Sequence, residues 1–262
     1  MADLERWLDG VPFDSAAAGI TAWQHEAHVA STMDLAHQRA SEGAPSGLVV
    51  LADVQSAGRG RSGKGWVSRA GDGVWFTLVE RGVSPEALQV LSLRVGLALS
   101  DGLAAFAEGS PRLKWPNDVL LGPRDVVRPS PTEFGKLAGV LVEARWRESQ
   151  VEWVAIGVGV NLRVPNPVPP GMRPASLRAG VSRAQVLGAL VPRLRAVTRC
   201  EGLLTAEELV AWQARDAMVG CHCVSPEVGL VHGIDATGAL LISTGSGVRV
   251  HRSGSLELAL AL

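Results

Sequence analysis

Lys136 follows a glycine at the start of an apolar run, "GKLAGVLVE". Lys114 opens "KWPNDV", and Arg59, Arg61 and Lys64 alternate with glycines 58, 60, 63 and 65 in "GRGRSGKGW". Arginine presents a planar fork that matches phosphate oxygens, and glycine lets the backbone approach an anion closely. Asp118 adds a carboxylate that can hold Mg²⁺ while a nucleotide's phosphates complete the shell. Asn117 and Asn161 offer amides that both donate and accept, as a base edge requires. Gly-Lys-Ser/Thr is missing, so "GRGRSGKGW" is not a Walker loop, and no helical pattern follows it as a dinucleotide fingerprint needs. Nor is there a Ser-His-Asp ordering or a reactive-cysteine signature, so hydrolysis by a nucleophile is not the chemistry indicated. The set suits a polyanion with a metal, such as ATP. Taken singly, each element also reads as a solvated turn; the convergence of several carries the inference.

These residues need strands and turns to hold them. "GLVVLADV" (47–54) and "GVWFTLVER" (73–81) read as buried strands flanking the cationic loop. "RLKWPNDVLL" reads as strand, proline turn and strand, and 136–146 with 151–162 as a hairpin. Ser31 or Thr32 caps a helix that Gly43 can end, and Ser84-Pro85-Glu86 starts another that runs to about Glu108. Ser182 and a Thr205-x-x-Glu208 capping box start two more. After Ala214, short strands broken by Gly and Pro predict a small β-barrel or sandwich of about 45 residues. The class expected is α+β, a mixed and mostly antiparallel sheet with flanking helices, divided into residues 1–214 and 215–262.

Composition narrows the partners. The 262 residues carry a formal net charge of −1, so no global field favours nucleic acid or an anionic membrane, and any anion site is local. Cys200, Cys221 and Cys223 indicate a reducing compartment, and Cys221-His222-Cys223 has strand alternation rather than zinc-knuckle spacing. The first residues lack the basic start and apolar run of a signal peptide, and no uncharged apolar run reaches about 18 residues. A cytoplasmic chain without a membrane span is expected.

"GRGRSGKGW", "KWPNDV", "GKLAGVLVE" and "GVGVNL" occur in the order found in biotin–protein ligases, and over roughly residues 20–180 the chain resembles that family. The resemblance implies a catalytic domain related to class II aminoacyl-tRNA synthetases and, in the tail, the family's small SH3-like barrel. It implies joining biotin to ATP as biotinyl-5′-AMP, then transfer to one lysine of a biotin carboxyl carrier domain. By that resemblance Lys136, Arg61 and Asp118 are catalytic, with Mg²⁺ on Asp118. Biotin lies against Ser31, Thr32, Gln55, Arg59, Gly60, Arg61, Lys136 and Gly139. ATP lies against Arg61, Lys64, Trp66, Lys114, Asn117, Asp118, Lys136 and Asn161. Met33 and Lys64 stand where the family usually has asparagine and arginine, and the loop 122–135 is longer than usual. About 20 residues precede the domain, too few for the winged helix of the family's repressors, so no specific DNA binding is expected, and a monomer or weak dimer. A lipoyl or octanoyl ligase of the same superfamily and a non-catalytic biotin or biotinyl-AMP sensor remain alternatives.

Overall fold

The computed structural model describes residues 8, 10–123, 130–166, 168 and 173–259. Its main sheet has seven strands: β1 (Ala22–Val29), β2 (Leu48–Gln55), β3 (Gly73–Glu80), β4 (Pro111–Lys114), β5 (Asp118–Leu121), β6 (Gly135–Arg147) and β7 (Gln150–Asn161). They lie in the order β1-β2-β3-β7-β6-β5-β4, with β1 parallel to β2 and every other pair antiparallel. The sheet is mixed, as expected. Strand β1 was not legible in the sequence: it is a half-exposed edge, so "AWQHEAHV" carries no clean apolar alternation.

Strand alternation sends two sets of side chains to opposite faces. Val49 and Leu51 of β2, Val74, Phe76 and Leu78 of β3, and Ile156, Val158 and Val160 of β7 join one large core. Two helices cover that face, α2 (Pro85–Leu103) and α3 (Arg183–Val197). The opposite face takes Leu48, Val50, Val79 and Trp153, which pack on Ala36 and Ala40 of the short helix α1 (Thr32–Ser41).

Helix starts follow the capping signals. Ser31 Oγ accepts from Met33 N (3.3 Å), and Ser84 Oγ accepts from Ala87 N (3.2 Å) with Pro85 at the first position. Such caps are each worth about 1 kcal/mol. Ser182 with Gln185, and Thr205 with Glu208, form reciprocal capping boxes, the second opening α4 (Ala206–Arg215). Helix α2 ends five residues before the expected Glu108, in a 3₁₀ turn Ala104–Phe106. By length and composition it could cross a membrane, but it is mostly buried as the core helix of the main layer. Its Arg94 is 1% exposed, donating to Glu208 Oε1 (2.7 Å) and to the carbonyls of Gly202 (3.0 Å) and Leu203 (2.7 Å). Breaking such a buried pair typically costs about 3–5 kcal/mol, so this contact ties the start of α4 to the core.

A second sheet follows α4: β8 (His222–Ser225), β9 (Gly229–Ile234), β10 (Leu240–Thr244), β11 (Gly247–His251) and β12 (Glu257–Leu258). Its order is β11-β10-β9-β8-β12, an open antiparallel sheet among the described residues rather than a closed barrel. Within β8 Cys223 is buried while His222 and Val224 are exposed, the alternation expected of "CHC". Ala217 N donates to Leu113 O (2.9 Å) and Trp115 Nε1 to Gly238 O (3.0 Å), which docks this sheet beside the β4–β5 turn. The part of the long loop at 124–129 lies outside the described residues.

Candidate active site

The α1 face of the main sheet has a bare floor. Gly139 pairs with Gly159 across β6 and β7, and Gly159 pairs with Trp75 of β3. Gly157 pairs with Leu141 on one side and Thr77 on the other. A Cβ on Gly159 would fall 2.5 Å from the Trp66 indole, and one on Gly139 would fall 2.7 Å from it. Trp66 therefore lies flat on the glycine pair, edge-on to Trp75 (centroids 6.1 Å apart). A Cβ on Gly157 would meet Met33 Cε at 2.8 Å, so Met33 fills the adjacent tile. The alternation in "GVGVN" is thus a division of labour, with valines in the core and glycines under the site.

Above this floor is a cavity of about 400 Å³, within the size range of small-molecule sites. Its wall includes Ser31, Thr32, Gln55, Arg59, Gly60, Arg61, Lys64, Trp66, Lys114, Asn117, Asp118, Lys136 and Gly139. Residues from the loop, the "KWPND" turn, β6 and the start of α1 are brought together as expected. Asn161 is set apart from them. It is 5% exposed, outside this wall, and its Nδ2 donates to the carbonyls of Lys136 and Ala175 (3.1 Å each). Its amide N–H groups brace the strand carrying Lys136. Asn117 lines the cavity, but its Nδ2 is also committed, to Val140 O (2.6 Å).

At one end are buried hydroxyls. Thr77 Oγ1 donates to Thr32 Oγ1 (2.9 Å), which donates to Gln55 Oε1 (3.1 Å); Gln55 Nε2 donates to Ser68 Oγ (2.7 Å). The direction of this chain leaves the oxygens of Thr32 and Thr77 as acceptors. Ser31 Oγ already accepts from Met33 N, which leaves its own proton free to donate. Thr77 carried no signal in the sequence beyond being a polar residue inside an apolar strand.

The other end is cationic. Lys136 Nζ is 2.7 Å from Asp118 Oδ1 and 5.0 Å from the Trp66 ring centroid. Burial pushes Lys114 below the ordinary lysine range, Asp118 partly restores it, and Lys136 and Lys64 push it down further. Burial also lowers Arg61, again against the pull of Asp118. Five cations line the cavity, Arg59, Arg61, Lys64, Lys114 and Lys136, against the carboxylates of Asp118 and Glu257. The buried Trp66 Nε1 has no acceptor, and Asp118 Oδ1 has the Lys136 ammonium beside it but no hydrogen bond. Buried polar groups are normally satisfied, and the unmatched Trp66 N–H together with five cations against two carboxylates leaves this end short of acceptor and anionic atoms. Among the described residues no three His, Cys, Asp or Glu side chains form a metal cluster. A single carboxylate fits Mg²⁺ only where phosphates supply the remaining ligands.

Ser255 and Leu256, just before β12, and Glu257 of β12 complete the wall near Lys114. Nothing in their own sequence marks them; only the docking of the two sheets does. The loop 58–66 is folded as a small hairpin, with Trp66 N donating to Gly58 O (2.8 Å) and Gly60 N to Lys64 O (2.7 Å). Ser62 sits at φ 55°, a left-handed conformation uncommon for a residue with a side chain.

Residues 27–161 match the Biotin/lipoate A/B protein ligase family. A biotin--[acetyl-CoA-carboxylase] ligase of Paracoccus denitrificans is 32% identical over 219 residues, covering 77% of this chain and 86% of its own. The bifunctional ligase/repressor BirA of Bacillus subtilis is 29% identical over 250 residues, covering 88% of this chain and 72% of its own. A solved biotin protein ligase from Aquifex aeolicus in complex with biotin and ATP has a TM-score of 0.70 at 23% identity, over 92% of this chain and 100% of that one, a likeness of fold.

Proposed function

Because the chain belongs to the biotin/lipoate A/B protein ligase family, we propose that it activates biotin with ATP to biotinyl-5′-AMP and transfers the biotinyl group to a lysine of a carboxylase's biotin carboxyl carrier domain. The observation that carries biotin over lipoate is the buried hydroxyl set. A cyclic urea presents one carbonyl acceptor and two N–H donors. Ser31 has a proton to give, and Thr32 and Thr77 have lone pairs to receive, which is the complement. A dithiolane would leave the Ser31 proton and the remaining lone pairs of Thr32 and Thr77 unmatched, and sites built to hydrogen-bond a ligand reject analogues lacking the group.

The cationic end supplies the first step. A biotin carboxylate oxygen attacks the α-phosphorus of ATP, the bond to the β-phosphate oxygen breaks, and pyrophosphate leaves. Both reactants are anionic, so the cations must hold them together before attack. Lys136 stands where carboxylate and α-phosphate oxygens meet, held by Asp118 and the indole face of Trp66. Arg61 and Lys114, held at lowered pKa by burial, regain favourable charge contacts as the triphosphate arrives. Mg²⁺, bound through Asp118 and the phosphates, would neutralise charge on the leaving pyrophosphate. In the second step the acceptor lysine's free amine attacks the anhydride carbonyl, forming an amide as AMP leaves.

The same reading places a boundary near residue 214, with 215–262 as a small SH3-like unit that closes the nucleotide end through Ser255–Glu257. Its short antiparallel strands and its share of the cavity wall support this.

Thr32→Val tests the biotin assignment. It keeps the shape and removes one acceptor and the hydroxyl's bonds with Gln55 and Thr77, while the backbone bond from Thr32 N to Gln55 Oε1 (2.9 Å) stays. Biotin KM should rise by about one to two orders of magnitude, the 1–3 kcal/mol of an unmade buried hydrogen bond, while the KM for ATP changes little. An unchanged biotin KM would remove the urea assignment.

A further inference from the structure

A line of contacts outside the cavity ends on the loop. Asp34 and His37 lie one turn apart on one face of α1, and Glu143 of β6 and Trp153 of β7 project from the sheet face beneath. Trp153, 5% exposed, donates its indole N–H to His37 Nδ1 (2.9 Å). An indole nitrogen can only donate, so Nδ1 must carry a lone pair, and the proton of the neutral imidazole sits on Nε2. That proton points at Glu143 Oε2, 3.1 Å away. The same carboxylate oxygen is 3.5 Å from Arg59 Nη2, which is also 2.7 Å from Asp34 Oδ1. Trp153 is itself held under the Arg81 guanidinium, 5.4 Å from its ring centroid.

We infer that Glu143 and Asp34 are positioning residues for the ligation reaction: a carboxylate receiver for Arg59 that seats the glycine-rich loop over the site, with Glu143 aimed by His37 and His37 fixed as one tautomer by Trp153. The inference rests on the reading of this site as one that makes and holds an adenylate. Three observations support it. Arg59 and the two carboxylates are 41%, 55% and 36% exposed, and ion pairs so exposed contribute little to folding, so their consequence is local. The loop has four glycines, so each side-chain anchor removes a large share of its freedom. Finally, a surface glutamate needed only for solubility has no use for an aiming histidine whose tautomer is set by a buried tryptophan. A weak anchor also suits a lid, since the loop must release its product.

The test is a double-mutant cycle on the full chain with wild type, Glu143→Gln, Arg59→Ala and the double variant. Two quantities are read: hydrogen exchange across 58–66 in the free protein, and the fraction of biotinyl-AMP that escapes in a single turnover without acceptor. Glu143→Gln should raise both, the escape by on the order of fivefold, the limit for an exposed pair, with the melting temperature unchanged. In the Arg59→Ala background it should add nothing, and Glu143→Asp should restore part of the wild-type retention. An equal effect in both backgrounds, or none in the wild-type background, overturns the receiver. Wild type that makes no biotinyl-AMP overturns the parent reading, whereas exchange across 58–66 still decides whether Glu143 anchors the loop.

Discussion

Removing the Lys136 ammonium would strip Asp118 Oδ1, a buried carboxylate oxygen without a hydrogen bond, of its nearest countercharge and take a cation from the point where two anions must meet. Loss of a contact made chiefly to developing charge costs on the order of 3 kcal/mol, by analogy with lost oxyanion donors. Lys136→Ala should therefore slow pyrophosphate release by about two orders of magnitude in a protein that still folds. Near-normal release by the folded variant would take the catalytic role away from Lys136. At this scale the sequence was informative where chemistry demands a residue type: lysine beside glycine, arginines between glycines, a carboxylate after a proline turn. It did not show that the Asn161 N–H groups bond backbone carbonyls, because folding decides which carbonyls come near an amide. Thr77 and Glu257 were silent, since a lone threonine in an apolar strand and a glutamate in a tail acquire meaning only from their neighbours.

In the proposed reading, retention of the product depends on the loop 58–66. Its hairpin is closed by backbone hydrogen bonds, laid on the floor through Trp66 and held at the rim by exposed ion pairs. That is a seat cheap to leave and re-form, as a lid requires. Arg61→Gly should admit water and bystander amines to the anhydride, so mass spectrometry should find biotin scattered over lysines of added carrier-free protein. Labelling confined to the acceptor lysine would remove the retention role. The strands flanking the loop were legible because they are buried and apolar, and the helices because their caps are local. Strand β1 was not, since an exposed edge has no pattern to read. The glycines of β7 could have been read as a floor, because a valine–glycine alternation in a strand puts every side chain on one face.

In the whole molecule, two sheets meet at one cavity, with hydroxyls at one end and an excess of cations at the other. Each end is incomplete alone: the hydroxyls need a donor–acceptor ligand, and the cations need a polyanion. A molecule with a urea at one end and a carboxylate at the other bridges them, which is why the activation of biotin by ATP satisfies both. The open order of the second sheet and its contribution of residues 255–257 to the wall could not be read from strand spacing, which fixes neither closure nor docking. The most direct test is intact mass of a biotin carboxyl carrier domain after incubation with this protein, ATP, Mg²⁺ and equal concentrations of biotin and lipoate. One biotinyl adduct on the acceptor lysine, dependent on ATP and lost with Lys136→Ala, is the predicted result; a lipoyl adduct, or an unmodified acceptor despite folded protein that binds biotin, would contradict it.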